Sequence, residues 1–154
     1  MTEGLNLVIV TPTYLPGITG NAITAHRLYK GLMDKGVRVQ VIVGGHCSTP
    51  DLKPDIIHAL HALKGGVPAL EMAERFGVPL IVTVTGTDFN IDLMQHCSSG
   101  VSRVLEKASV IIVYSELAKK RMLAKCPFLE EKVRVIRPSV DIGRPKGITV
   151  SLTK

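Results

Sequence analysis

Tryptophan is absent and aromatic residues make up only 4% of the 154 residues, which leaves little for stacking on unpaired bases and disfavours a nucleic-acid partner. The three cysteines, Cys47, Cys97 and Cys126, are odd in number and widely spaced. That is poor material for a disulfide framework, and they read as thiols of a reducing compartment. No apolar run approaches the ~20 residues that cross a bilayer, and no basic segment followed by an apolar signal core opens the chain. A cytoplasmic protein is the simplest expectation.

What is present is a well-packed composition, 45% hydrophobic and 21% charged, on a length suited to one core. Apolar blocks alternate with helical patterns in the βαβα rhythm of a parallel sheet with helices on its faces. Strands are predicted at 7–10, 37–43, 55–58, 79–84, 110–114 and 132–136. Helices are predicted at Asn21 to Lys35, Gly66 to Phe76, Ser99 to Lys107 and 115–125. In the first helix Ala22, Ala25, Leu28, Tyr29 and Leu32 form the inward stripe. Residues 44–54, with two prolines and several turn formers, read as a loop. Right-handed crossovers give the strand order 2-1-3-4-5-6, with the winding reversing between strands one and three. The expected fold is therefore α/β, a Rossmann-like open parallel sheet of about six strands with helices on both faces.

In such a sheet ligands bind at the carboxyl edge, near the reversal point. Four strands end there in small, hydroxylated or imidazole residues. The first loop holds Gly17, Thr19, Gly20 and Asn21, whose glycines allow backbone amides close to a phosphate or sugar hydroxyl. It is neither a Walker loop nor a Gly-x-Gly-x-x-Gly loop, and it also reads as a plain turn in which Thr19 or Asn21 caps the helix. His58 and His61 follow strand three as ordinary loop imidazoles or, with His46-Cys47 and His96-Cys97, as zinc-type ligands whose irregular spacing argues against a metal. Thr85, Gly86, Thr87 and Asp88 offer a tight turn, two hydroxyls and a carboxylate for sugar hydroxyls or a proton. Asp88 also reads as the cap of a short helix beginning near Phe89, and Ser115 as the cap of the last helix or a hydroxyl of the cleft.

Charge is uneven: residues 1–100 sum to −1 and residues 101–154 to +7. The basic third reads either as the solvated face of helix 115–125, where Lys119, Lys120, Arg121 and Lys125 surround Leu117, Ala118, Met122 and Leu123, or as a surface for anionic lipid or phosphates.

Taken in order, these blocks resemble the amino-terminal half of family 4 glycosyltransferases, retaining enzymes built from two Rossmann-like domains in the GT-B fold. The resemblance runs from Leu7 to about Asp141. It rests on Pro16-Gly17-Ile-Thr-Gly20, Leu32 to Gly36 leading into Val37-Arg-Val39, and Pro54-Asp55-Ile-Ile-His58. It continues through His61-Ala-Leu-Lys-Gly65, Gly77-Val-Pro79, Thr83 to Asp88, the block 108–115, and Val135 to Asp141. Departures are the glycine pair split by Ile18-Thr19, Thr85 in place of the usual histidine, Ser139 in place of the hinge glycine, and a short connection after strand two.

The resemblance implies transfer of a sugar from a nucleotide sugar, a co-substrate with no further cofactor, to a carbohydrate or lipid-linked acceptor held mainly by this half. Gly17, Gly20, Asn21, Thr85, Gly86 and Asp88 would approach the donor. The expected organisation is an acceptor-side domain at 1–142 and a linker or tail at 143–154 toward a C-terminal donor-binding domain with a Glu-x7-Glu motif. Half a cleft leaves the departing diphosphate poorly stabilised, so the chain alone is expected to be inactive. A noncatalytic carbohydrate- or nucleotide-binding module is the alternative; an unrelated flavodoxin-like receiver lacks its acidic pair, Thr11-Pro12-Thr13 standing there. A cytoplasmic site with peripheral contact at the inner membrane face completes the expectation.

Overall fold

Val, Ile and Leu fill the strand cores because a parallel sheet covered on both faces buries alternate residues on each side. In β1 (Asn6–Thr11), Leu7 and Ile9 point to one core and Val8 and Val10 to the other. The computed structural model describes residues 4–44, 49–93 and 99–138. The expected tail at 143–154 and the pairs His46-Cys47 and His96-Cys97 lie outside the described residues.

After β1 come α1 (Gly20–Met33), β2 (Arg38–Val43), β3 (Ile56–Leu60), α2 (Gly66–Phe76) and β4 (Leu80–Thr83). A wide π-type helical segment, Asp88–Leu93, precedes α3 (Ser99–Lys107) and β5 (Val110–Val113). The basic helix α4 (Glu116–Lys125), a 3₁₀ turn at Pro127–Leu129 and β6 (Val133–Val135) follow. All six strands pair in parallel in the order β2-β1-β3-β4-β5-β6. This is the expected order, because a right-handed connection on each face leaves no other arrangement once the chain reverses after β2.

The reversal puts α1 alone on one face, where Leu28, Tyr29 and Leu32 pack on Leu7, Ile9 and Leu60. On the opposite face α2, α3 and α4 close a larger core with Ile57, Val82, Ile111 and Val133. Gly77 ends α2 in the left-handed region, φ 67°, its N–H donating to Ala73 O, a geometry that a Cβ would strain. Among the described residues no helix covers β4 to β6 on the α1 side. There Leu28, Leu32, Leu60, Ile112 and Ile136 wall an apolar groove of about 370 Å³.

Several sequence-based expectations are revised. Strand three runs to Leu60, so His58, expected at the strand's end, lies inside it, and Ala59 and Leu60 leave the expected loop. Helix α1 begins at Gly20 because Thr19, not Asn21, is its cap: Thr19 Oγ1 accepts from the Ala22 N–H at 3.1 Å. In α4 only Met122 is buried and Leu117 is 66% exposed, so the expected inward stripe is narrower than its spacing suggests. The helix ends at the sheet's β5–β6 margin, where little core remains for it to cover.

Candidate functional site: a hydroxyl-lined cleft at the carboxyl edge

Strand β1 delivers the chain into Pro12-Thr13, and a tight turn follows in which the Gly17 N–H donates to Tyr14 O at 3.1 Å. A Cβ at Gly17 would stand 3.2 Å from that oxygen, so the tight turn favours glycine there. The Leu15–Pro16 peptide bond inside the turn is cis. The loop returns at Thr19, whose hydroxyl meets that of Thr13 as well as capping α1. Thr13, Thr19, Gly20 and Asn21 form one wall of a cleft of about 450 Å³, continued by Thr24 one turn into the helix. A Cβ at Gly20 would meet nothing within 4 Å, which leaves the first turn of α1 open to the cleft.

Strand β4 supplies the opposite wall. Thr85, Gly86 and Thr87 line it, and in the turn that carries them the Asp88 side chain, three residues on, reaches back to the Thr85 N–H and hydroxyl. Asp88 Oδ2 accepts from the Thr85 N–H at 3.1 Å, and its Oδ1 accepts from the Thr85 hydroxyl and the Phe89 N–H, both at 3.0 Å. Asp88 is therefore the third residue of the turn, not the cap expected from the sequence. Its Oδ2 also accepts from the Ala62 N–H at 2.6 Å, a bond that crosses to the loop after β3. The carboxylate is wholly buried and holds four donors, so it ties two loops together and presents nothing to the cleft.

The loop after β3 forms the floor between these walls. His61 is buried, with φ 73°, a left-handed backbone region unfavourable for residues that carry a Cβ. Its Nδ1 accepts from the Lys64 N–H at 3.1 Å, which puts the ring hydrogen of the neutral form on Nε2. The Gly65 and Gly66 N–H groups both donate to His61 O at 2.9 Å, closing a turn too tight for a side chain. A Cβ on Gly65 would fall 2.1 Å from Leu60 O. His61 and Lys64 line the cleft.

Tyr114, leaving β5, completes the enclosure and is shared with the apolar groove behind it. Its hydroxyl is buried and closes no hydrogen bond among the described residues. Burial first holds the phenol above its usual pKa; the Thr24 hydroxyl beside it offsets part of this, and the Asp88 charge adds to it.

Of the residues expected from the sequence, the structure brings Thr19, Gly20, Asn21, His61, Thr85, Gly86 and Thr87 to one cleft. Gly17 and Asp88 are not among its lining residues, Asp88 being wholly buried. His58 and Ser115 stand apart from its wall. His58 faces the α1 side of β3, where its Nε2 meets Thr83 Oγ1 at 2.8 Å, and burial lowers its pKa to about 4. Ser115 Oγ caps α4 by accepting from the Ala118 N–H at 3.1 Å. Among the described residues no three His, Cys, Asp or Glu side chains gather as a metal site, and the two imidazoles serve separate bonds. Thr13, Thr24, Lys64 and Tyr114 are additions that motif reading did not supply. The available signal was the strand order, which sets the loops after β3 and β5 beside those after β1 and β4.

The sequence profile of Glycosyltransferase Family 4 matches residues 48–144, more than half of the chain. The chain belongs to glycosyltransferase family 4. The matched stretch runs from just before β3 through β6, so it includes the His61 turn, the Thr85 to Asp88 turn and Tyr114. The first loop and α1 precede it and join it through β1, which pairs with β3. One relative is a Bacillus subtilis (strain 168) protein named putative teichuronic acid biosynthesis glycosyltransferase TuaC, 36% identical over 78 residues. The alignment covers 46% of this chain and 20% of the relative, so the family 4 chain matches about a fifth of that protein's length.

Proposed function

We propose that this family 4 chain is the acceptor-side half of a glycosyltransferase, which moves a sugar from a nucleotide sugar to a carbohydrate or lipid-linked acceptor together with a donor-binding domain or subunit. The observation that carries the reading is the cleft wall: threonine hydroxyls and an asparagine amide, with Tyr114 among the lining, surround a space the size of a sugar ring or two. Sugars are bound through many neutral hydrogen bonds, which this wall can supply.

Transfer breaks the bond between the anomeric carbon and the diphosphate and forms one to an acceptor oxygen, so negative charge grows on the leaving group. Stabilising that charge calls for preorganised donors. Among the described residues lining the cleft, Lys64 is the one lysine or arginine. The second domain is therefore the expected source of the remaining cations, and the relative's name as a teichuronic acid biosynthesis glycosyltransferase fits a sugar-transferring whole. A second reading, a noncatalytic carbohydrate-binding module, is favoured by Asp88, whose four bonds leave no carboxylate facing the cleft among the described residues.

The location we propose is cytoplasmic, with α4 touching an anionic membrane face through Lys119 and Lys120. Among the described residues no helix is long and apolar enough to cross a membrane. Sedimentation with liposomes tests this contact: equal recovery with neutral and anionic vesicles would remove it.

The functional reading is tested by offering the purified chain a panel of nucleotide sugars and acceptors while following both turnover and calorimetric binding. Binding of sugar ligands with negligible turnover is expected. Turnover by the chain alone would contradict the need for a second domain, and absence of any binding would contradict the acceptor-side assignment.

A further inference from the structure

The α1 side of β4 to β6 carries apolar surface that the described residues leave uncovered, although a parallel sheet ordinarily buries both faces. Ile112 on β5 is only half-buried there, and Ile136, just past β6, is 55% exposed. Both line the groove beside α1. Along the helix this groove runs from Thr24 past Leu28, Gly31 and Leu32 to Lys35, about 16 Å at the helical rise. Nothing lies within 4 Å of where a Cβ on Gly31 would stand, so the helix wall has room there for another side chain.

The chain itself meets this groove as it leaves the sheet. The Ile136 N–H donates to Val113 O at 3.0 Å, which pins the exit to β5, and Ile136, Arg137 and Pro138 all line the groove. Residues 139–154 lie outside the described residues, and 145–154 also lie beyond the stretch matched by the family 4 profile. Their sequence carries a pattern that the functional reading does not use: Ile148, Val150 and Leu152 alternate with Thr149, Ser151 and Thr153. A period of two gives an extended segment one apolar and one hydroxylated face. Gly143, Pro145 and Gly147 come before it, residue types suited to reversing the chain.

Reach and length agree with the groove. Nine residues separate Pro138 from Ile148 and can span up to about 30 Å, roughly twice its length. In an extended segment Ile148 to Leu152 covers about 13 Å, against about 16 Å of groove. No charged residue falls between 148 and 153, so the segment brings no cation against Arg27, Lys35 and Arg137 on the rim. A short connection also holds it near the groove at an effective concentration in the millimolar range, so a modest affinity suffices.

We infer that residues 148–152 dock as an extended strap in this groove, with Ile148, Val150 and Leu152 against Leu28, Leu32, Ile112 and Ile136 and the hydroxylated residues toward water. The inference stands apart from the sugar-site reading, since the strap covers the α1 face of the sheet and not the cleft at its carboxyl edge.

The test is methyl NMR on the full chain, with binding of the dye anilinonaphthalene sulfonate compared among the native protein, Val150→Asp and Thr149→Asp. Native protein should show nuclear Overhauser contacts from the Ile148, Val150 and Leu152 methyls to those of Leu28, Leu32 and Ile112. Val150→Asp should abolish them and raise dye fluorescence about threefold or more by exposing the groove. Thr149→Asp, one position away on the opposite face, should leave both readouts native. Equal responses of the two variants, or native methyl contacts that are absent, overturn the inference. So do contacts made to the open edge of β6 at Arg134, which would mean an added strand, and contacts seen only between differently labelled copies, which would mean a dimer. None of these outcomes bears on sugar binding at the cleft.

Discussion

Tyr114 and His58 show how differently two buried polar side chains can be used. The Tyr114 hydroxyl is buried and has no hydrogen bond among the described residues, in a residue that lines the cleft, so a ligand that supplies a partner offsets its cost to the fold. Tyr114→Phe should leave the urea midpoint unchanged or raise stability by up to about 1 kcal/mol, while weakening sugar binding severalfold. Loss of stability with unchanged binding would show the hydroxyl to be structural. His58, by contrast, is bonded to Thr83 and held neutral, its pKa lowered to about 4 by burial. An unfolded histidine takes up a proton near pH 6.5, so between those values the unfolded state binds more protons and stability falls as pH falls. This contribution is intact above about pH 6.5, and the fold should lose up to about 3 kcal/mol through His58 on approaching pH 4. Urea titrations at pH 7.5 and pH 4.5 should show a smaller loss in His58→Gln than in the native chain; parallel losses would exclude His58 as the titrating group.

Elements are joined at this site by one carboxylate. Asp88 fastens the turn after β4 to the turn after β3, and an amide in its place would set an NH2 against N–H and O–H donors. Asp88→Asn should therefore cost about 2–3 kcal/mol in chemical denaturation and speed hydrogen exchange at Ala62 and Thr85 together. Protection lost at only one of the two would mean that the loops are not coupled. Ser115→Ala should cost about 1 kcal/mol by uncapping α4 and leave ligand binding unchanged, because Ser115 lies off the cleft wall. At this scale the sequence was readable where periodicity reports burial. The strands appear as Val and Ile runs, and α1 shows its stripe of Ala22, Ala25, Leu28 and Leu32. The end of β3 was hidden because Ala59-Leu60 is too short to show a period before the His61 turn, and His58 is seen to be interior only through its bond to Thr83. In α4 the apolar spacing promised more burial than the sheet margin can give, and Arg121 instead stacks on Phe89 with its guanidinium carbon 5.2 Å from the ring centroid.

For the whole molecule, handedness did most of the work. Once crossovers are right-handed and β3 lies opposite β2, the loops after β1 and β4 must flank the loop after β3, and the cleft is a consequence of topology. That much could be read from the order of strands and helices. Which side chains are spent inside the protein could not, since Asp88 looks equally catalytic and structural in a row of letters and becomes structural only when Ala62 from a distant loop fills its last lone pair. The same topology leaves the α1 side of β4 to β6 without a helix among the described residues, adjoining the cleft through Thr24 and Tyr114. The account as a whole holds that sugar ligands enter at the carboxyl edge, between the first turn of α1 and the Thr85 to Thr87 turn. The most direct measurement is amide chemical-shift mapping of the chain titrated with a nucleotide sugar such as UDP-glucose. Shifts concentrated at Thr19 to Thr24, His61 to Lys64, Thr85 to Thr87 and Tyr114 are expected. Shifts confined to the opposite edge of the sheet, or none at millimolar ligand, would contradict it.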